Sequence, residues 1–193
     1  MEAWNKLILK ALRIMPFCFL TAWGCTHTAQ QADLDCQFLS SESGELETVS
    51  RCAEGTKNGL SFQANLLGRL NQGTEPICVQ VKIGSAWEPF YVLPSGRYAR
   101  TVPYDNGCDY FAEGLARTII DGKAAYFDRS LEIKIRTDYE WAFPFSDGEA
   151  LVCRNVVWKR AGESNTMSQG ECARMGASGV LLSAFKDHSV TPK

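Results

Sequence analysis

The chain has 193 residues, 45% of them hydrophobic and 22% charged, with a formal net charge of −2. That balance suits one folded globular domain and argues against disorder throughout. Lys and Arg are scattered, the longest basic cluster being Lys159 and Arg160, so no basic face is offered to nucleic acid, whose phosphates need clustered cations.

Lys6, Lys10 and Arg13 precede an uncharged run of 11 residues, Ile14 to Gly24, which is too short to span a bilayer, where about 20 apolar residues are needed. Residues 1–24 therefore read as a signal peptide. Without it the chain carries 17 basic and 21 acidic side chains, a net of −4. At the boundary, Ala22-Trp23-Gly24-Cys25 resembles a bacterial lipobox, which implies a lipid on Cys25 and anchoring in the envelope. Thr26 after it looks like an outer-membrane sorting position. The same Ala22-x-Gly24 equally serves an ordinary signal peptidase, which would leave the protein periplasmic or secreted.

Seven cysteines follow the leader: Cys25, Cys36, Cys52, Cys78, Cys108, Cys153 and Cys172. An odd number in an oxidising compartment leaves one thiol unmatched, unless Cys25 carries lipid and the other six pair. Six cysteines allow 15 connectivities. Joining Cys36 to Cys52, Cys78 to Cys108 and Cys153 to Cys172 closes the shortest loops.

Residues 25–33 are polar and suit a tether. From Asp35 to Lys57 the chain is rich in Ser, Glu and Gly, and only Cys36 and Cys52 argue that it is stapled to the body. Phe62, Leu66 and Leu70, four apart with Leu67 beside them, predict a short amphipathic helix. The period then changes to two: Val79, Val81 and Ile83 form one alternating run, and Leu131, Ile133 and Ile135 another, as in half-buried strands. Between them Leu115–Ile120 and Lys123–Phe127 flank Asp121-Gly122, the dipeptide that most readily makes a two-residue hairpin turn. Pro94-Ser95-Gly96 and Asp128-Arg129-Ser130 read as further turns.

The chain also echoes itself. Phe111-Ala112-Glu113-Gly114-Leu115-Ala116 overlays Phe145-Ser146-Asp147-Gly148-Glu149-Ala150, and Tyr91-Val92-Leu93-Pro94-Ser95-Gly96 overlays Tyr126-Phe127-Asp128-Arg129-Ser130-Leu131 at an offset of 35 residues. Such spacing marks units that stack because none buries its own apolar face. With Tyr104-Asp105 leading in and Gly122-Lys123-Ala124-Ala125-Tyr126-Phe127-Asp128 following, the pattern resembles the WG-repeat family, whose consensus runs F-x-E-G-L-A, a strand, then G-K-W-G-Y-I-D. The resemblance covers roughly residues 88 to 182, with Ala124-Ala125 in place of Trp-Gly. A third copy begins at Tyr139 and resumes at Gly170 after a polar insertion from Arg154 to Gln169. It implies repeated β-hairpin units, common in exported bacterial proteins, and no catalytic residues.

Chemistry is sparse. His27 lies in the tether and His188 in the tail, so a Ser/His/Asp site would have to recruit Asp187-His188 from a chain end. Ser183-Ala184-Phe185-Lys186 matches S-x-x-K but lacks the other elements of that acylase. No C-x-x-C or paired histidines suggest a metal, and no cofactor motif is present. Glu113, Asp121, Asp147 and Glu149 are the carboxylates available to a glycosidase-like pair, although the repeat accounts for Glu113 and Asp147 as turn residues. Trp87, Tyr139 and Trp141 read as packing between repeats, whereas Trp158, beside Lys159 and Arg160 in a polar insertion expected to be a mobile loop, reads as an exposed partner contact.

The expected fold is mainly β: two to three stacked β-hairpin repeats and one short N-terminal helix, braced by up to three disulfides. The expected organisation is a leader over 1–24, a tether over 25–33, one domain over 34–185 and a disordered tail over 186–193. The expected role is a non-catalytic envelope lipoprotein binding a protein or glycan partner. A small periplasmic hydrolase and a purely structural lipoprotein are the alternatives.

Overall fold

The computed structural model describes residues 33–56, 59–70, 73–161 and 164–188. The expected leader, Cys25, His27 and nearly all of the tether lie outside them. Among the described residues the protein is mainly β, with one helix and several antiparallel sheets.

The first sheet combines Asp33–Leu39 (β1), Leu46–Thr56 (β2), Gly59–Phe62 (β3), Ile77–Ile83 (β4), Ala86–Val92 (β5) and Tyr98–Arg100 (β6), in the order β3-β2-β1-β4-β5-β6. Alternate residues of β1 and β4, namely Cys36, Phe38, Val79 and Val81, are buried on one face, the two-residue period of a sheet wetted on the other. Against that face lies the helix α1, Ala64–Leu70, which buries Leu66 and Leu70 completely. Phe62, expected in the helix, instead ends β3 opposite Ala53, because Gly59–Phe62 extends the ladder of β2. Asp33 opens β1 rather than closing a tether, pairing with Glu54.

Pro103–Tyr104 (β7) and Gly107–Cys108 (β8) make a small ribbon; Leu115–Ile120 (β9), Lys123–Asp128 (β10) and Ile133–Arg136 (β11) make a sheet in the order β11-β10-β9. The last sheet contains Trp141–Ala142 (β12), Glu149–Ala161 (β13), Ser164–Gly176 (β14) and Lys186–Asp187 (β15), in that order. The stretch from Arg154 to Gln169, expected as a mobile loop, is the outer part of the β13–β14 hairpin, with Trp158 opposite Met167 and Arg160 opposite Asn165. Backbone pairing, with register shifts on either side of Val157, and the burial of Met167 hold it, where composition alone suggested a loop. Residues 186–187 pair with β14, so the ordered chain passes the expected domain end at 185.

The middle sheet is covered on both faces. Ala116 and Phe127 pack with Tyr91, Leu93 and Ala99 of the first sheet region, whereas Ala124 and Tyr126 pack with Ala142, Phe145, Val152 and Met175 of the last. Strands enclosed in this way read as continuous buried runs rather than alternating ones. Ala124 and Ala125, each 2% exposed, therefore sit where a tryptophan's volume has no room.

The two F-x-acid-Gly segments take the same course. Ala112 and Leu115 exchange both backbone hydrogen bonds, as do Ser146 and Glu149, around Glu113-Gly114 (φ 51° and 82°) and Asp147-Gly148 (φ 55° and 76°). Positive φ at both central positions defines the I′ turn that matches strand twist, and Asp121-Gly122 takes the same form as expected. The Gly148 N–H donates to the Glu113 carboxylate at 3.0 Å, so one turn touches the next. Tyr91 donates to the Asp109 carbonyl at 2.6 Å and packs on Phe111 at 4.8 Å; Tyr126 donates to the Phe143 carbonyl at 2.7 Å and packs on Phe145 at 4.8 Å. Burial pushes the Tyr126 phenol well up. Tyr126→Phe leaves the Phe143 carbonyl without that donor and is expected to cost about 1–3 kcal/mol in urea denaturation. Half-buried Tyr91 should lose less in Tyr91→Phe.

The turns Leu93–Arg97 and Asp128–Glu132 also match, each with the first N–H bonded to the fifth carbonyl and the fourth N–H to the first. Leu131, expected on a strand, takes the positive φ (61°) that Gly96 takes in the other turn. The Asp128 carboxylate explains this, accepting from Ser130 N–H, Ser130 Oγ and Glu132 N–H while pairing with Lys134. Partial desolvation opposes its charge, but those hydrogen bonds hold its pKa at about 2, below the ordinary 3.8. Because the folded value is depressed, the turn's contribution is full above about pH 4 and disappears as pH falls through about 2. Solvent screening keeps it below about 1 kcal/mol. Acid titration of the urea midpoint should show this slope in the parent and not in Asp128→Asn.

All six described cysteines pair as the shortest-loop scheme expects: Cys36 with Cys52, Cys78 with Cys108, and Cys153 with Cys172. Cys153 and Cys172 are direct cross-strand partners, 4.1 Å apart at Cα.

Candidate functional site

An open groove of about 1090 Å³ runs across residues from all the sheets. Gln37 of β1, Gln80 of β4 and Trp87 of β5 form one wall, and the turn Asp105-Asn106 between β7 and β8 forms a second. The turn Asp121-Gly122, Trp141 of β12 and Trp158 of β13 complete it. Strand alternation presents these side chains outward from sheets whose other faces are filled by core residues.

The aromatic groups are held at fixed angles. Trp158, 45% exposed, meets Trp141 edge to face at 4.9 Å, and Trp87 is 39% exposed with Lys82 Nζ 5.9 Å from its ring centre. Tyr104, on the rim, packs edge-on against Tyr110 at 5.2 Å. Behind Trp141 stands Arg117, its guanidinium 5.4 Å from the ring centre. That buried arginine donates Nε and Nη2 to the Asp109 carboxylate at 2.9 and 2.6 Å and Nη1 to the Ala142 carbonyl at 3.1 Å. The ion pair thus joins the middle sheet to the strand that carries Trp141.

Polar groups of the lining are partly engaged. Gln80 Nε2 donates to the Asn106 carbonyl at 2.9 Å, but Gln80 Oε1 is buried without a hydrogen-bond partner. Arg100 is bound to Glu88 at 2.6 Å. Among the described residues Asp105 and Asp121 have no ion-pair partner.

The residues singled out in the sequence are dispersed. Trp158 lines the groove; Lys159 points to the opposite face of β13, and Arg160 shares the face of Trp158 one pair farther out without lining the groove. Trp87 and Trp141, assigned to packing, line it too, and Trp141 also packs against the cluster of Cys153, Met167 and Cys172. Tyr139 does pack, 5.2 Å from Phe185. Glu113 and Asp147 meet at adjoining turns, and Glu149 pairs with Arg174 at 3.0 Å. Asp121 stands at the far end of the six-residue β9 from Glu113, roughly 20 Å away at strand rise. That separation is too wide for the carboxyl pair of a glycosidase, about 5–9.5 Å.

At the C-terminus, Ser183 Oγ accepts from the Arg174 N–H and donates to the Ala184 carbonyl, so its proton is committed to the backbone. Ser183 sits at a bend, and the segment leads into β15 instead of opening a helix. Among the described residues no group of three His, Cys, Asp or Glu side chains could hold a metal ion.

Tyr104, Gln37, Gln80, Asn106 and Asn165 were not foreseen as site residues. The only local signal was the Tyr104-Asp105-Asn106-Gly107 turn, whose two central residues take positive φ (44° and 62°). Compared with known proteins, the chain matches no family model, no curated protein and no solved structure.

Proposed function

We propose that the chain is a non-catalytic, lipid-anchored envelope protein of the WG-repeat kind that holds a protein or glycan partner in the aromatic groove. The observation that carries the reading is the groove itself, where three indoles and planar polar side chains from distant parts of the chain converge on solvent. Exposed aromatics fixed by their neighbours are typical binding anchors, since little side-chain entropy is lost on contact. The matched turns, the paired Tyr–Phe contacts and the Glu113–Gly148 hydrogen bond support the repeat reading. Three disulfides suit an oxidising compartment.

Two measurements test it. Mass spectrometry of the mature chain should find Cys25 as a lipid-modified N-terminus; an unmodified residue 25 removes the anchor. In detergent, where the lipid cannot hold it, mature protein should co-sediment with lipid-free insoluble envelope material in a Trp158-dependent way, and equal retention of Trp158→Ala removes the groove.

The second reading, a hydrolase, is favoured by Asp105 and Asp121 sharing the groove lining. It requires release of product from whatever is bound, abolished in Asp121→Asn.

A further inference from the structure

The lining of the groove selects among ligand chemistries, and this step rests on the groove being the binding site proposed above. Trp87 and Trp158 line the groove and are 39% and 45% exposed. Indole rings attract the polarised C–H groups on the flat side of a pyranose ring, because the π cloud carries the negative part of the ring's quadrupole. Trp141 and Arg117 brace Trp158 from behind, so the platform is set before a ligand arrives.

The hydrogen-bonding groups nearby are short of donors. Asp105 and Asp121 are exposed acceptors in the lining. A hydroxyl provides a donor to each without bringing charge. Anionic ligands are disfavoured: in the described lining Arg100 is neutralised by Glu88, which leaves Asp105 and Asp121 as its net charge, with Lys82 held beside the Trp87 ring at 5.9 Å. The volume of about 1090 Å³ exceeds the usual 300–1,000 Å³ of small-ligand pockets, which suits several linked rings rather than one.

We infer that the groove binds an uncharged oligosaccharide, with pyranose rings stacked on Trp158 and Trp87 and hydroxyls donated to Asp105 and Asp121. The test is titration of the mature full-length protein, in detergent, with cello-, malto-, xylo- and chitohexaose, and with hyaluronan hexasaccharide and hexalysine as charged probes. Intrinsic tryptophan fluorescence and calorimetry provide the readouts. At least one neutral hexaose is expected to bind saturably. Its affinity should fall at least about tenfold in Trp158→Ala and in Trp87→Ala, and stay unchanged in Val180→Ser, an exposed position outside the groove. Trp158→Phe, which keeps a ring against Trp141, should lie between parent and Trp158→Ala, separating stacking from any folding defect. Binding only of hyaluronan or hexalysine, or of none of the six probes, overturns the ligand class. If Trp158-dependent envelope retention persists in that case, the groove still stands. Binding indifferent to both aromatic substitutions takes the groove down as well.

Discussion

Asp109→Ala is expected to destabilise the protein by about 3–5 kcal/mol, the largest loss of any single polar substitution considered. The carboxylate is 1% exposed and its partner Arg117 7%, so removing it strands a guanidinium among apolar groups with no water to replace the lost contacts. The carboxylate also accepts from the Arg117 backbone N–H at 2.9 Å, which would lose its partner too. Asp109→Asn keeps one acceptor but no charge and should fall near the lower end of that range. By contrast Arg69, whose pair with Glu47 is exposed, should change stability by less than about 1 kcal/mol when replaced by alanine. Urea denaturation of Asp109→Asn, Arg117→Met and the double variant is the measurement. The double variant should cost clearly less than the two singles together, since neither charge is then left alone. Singles costing under about 1 kcal/mol would mean that the pair behaves like a surface one.

The second large effect is expected from the Cys78–Cys108 bridge. It closes the longest of the three disulfide loops, 30 residues, and replacing both cysteines by serine should cost about 3–4 kcal/mol in the chain-entropy account. A local consequence follows from position. The β7–β8 ribbon that forms one wall of the groove has only two residues per strand, too few to persist alone. What holds it is the Cys108 bridge to β4, the Gln80–Asn106 hydrogen bond and the Tyr91–Asp109 hydrogen bond. Amide exchange at Gly107 and Asp109 should therefore accelerate in the double serine variant more than in the β9–β10 hairpin. Uniform acceleration throughout would show that the bridge acts only on the unfolded chain.

Much of the fold was legible because its signals are local. The Asp121-Gly122 turn, the period-two runs and the shortest-loop cysteine pairs each depend on residues close in the chain. Where inference failed, a hydrogen-bonding partner outside the periodic pattern had overridden it. Phe62 has helical spacing, yet β2 supplies a ladder for it; Leu131 has strand spacing, yet the Asp128 carboxylate bends the backbone there into a turn. The segment from Arg154 to Gln169 lacks a strong apolar pattern and still forms strands, because each half completes the hydrogen bonds of the other. The site was the least legible. Of its aromatics only Trp158 was singled out as exposed, and the company it keeps in space differs from Lys159 and Arg160, its company in sequence.

By itself the sequence determined a mainly β chain with a short helix, its hairpin turns and a shortest-loop scheme for the cysteines, since these follow from backbone preferences and short loops; the structure chose that scheme among 15. Tertiary structure alone decided that Asp109 and Arg117 would be buried together and that Trp87, Trp141 and Trp158 would share a groove. The reason is physical: burial and convergence depend on which sheet faces cover one another, and residues from Gln37 to Asn165 meet only once the sheets have packed.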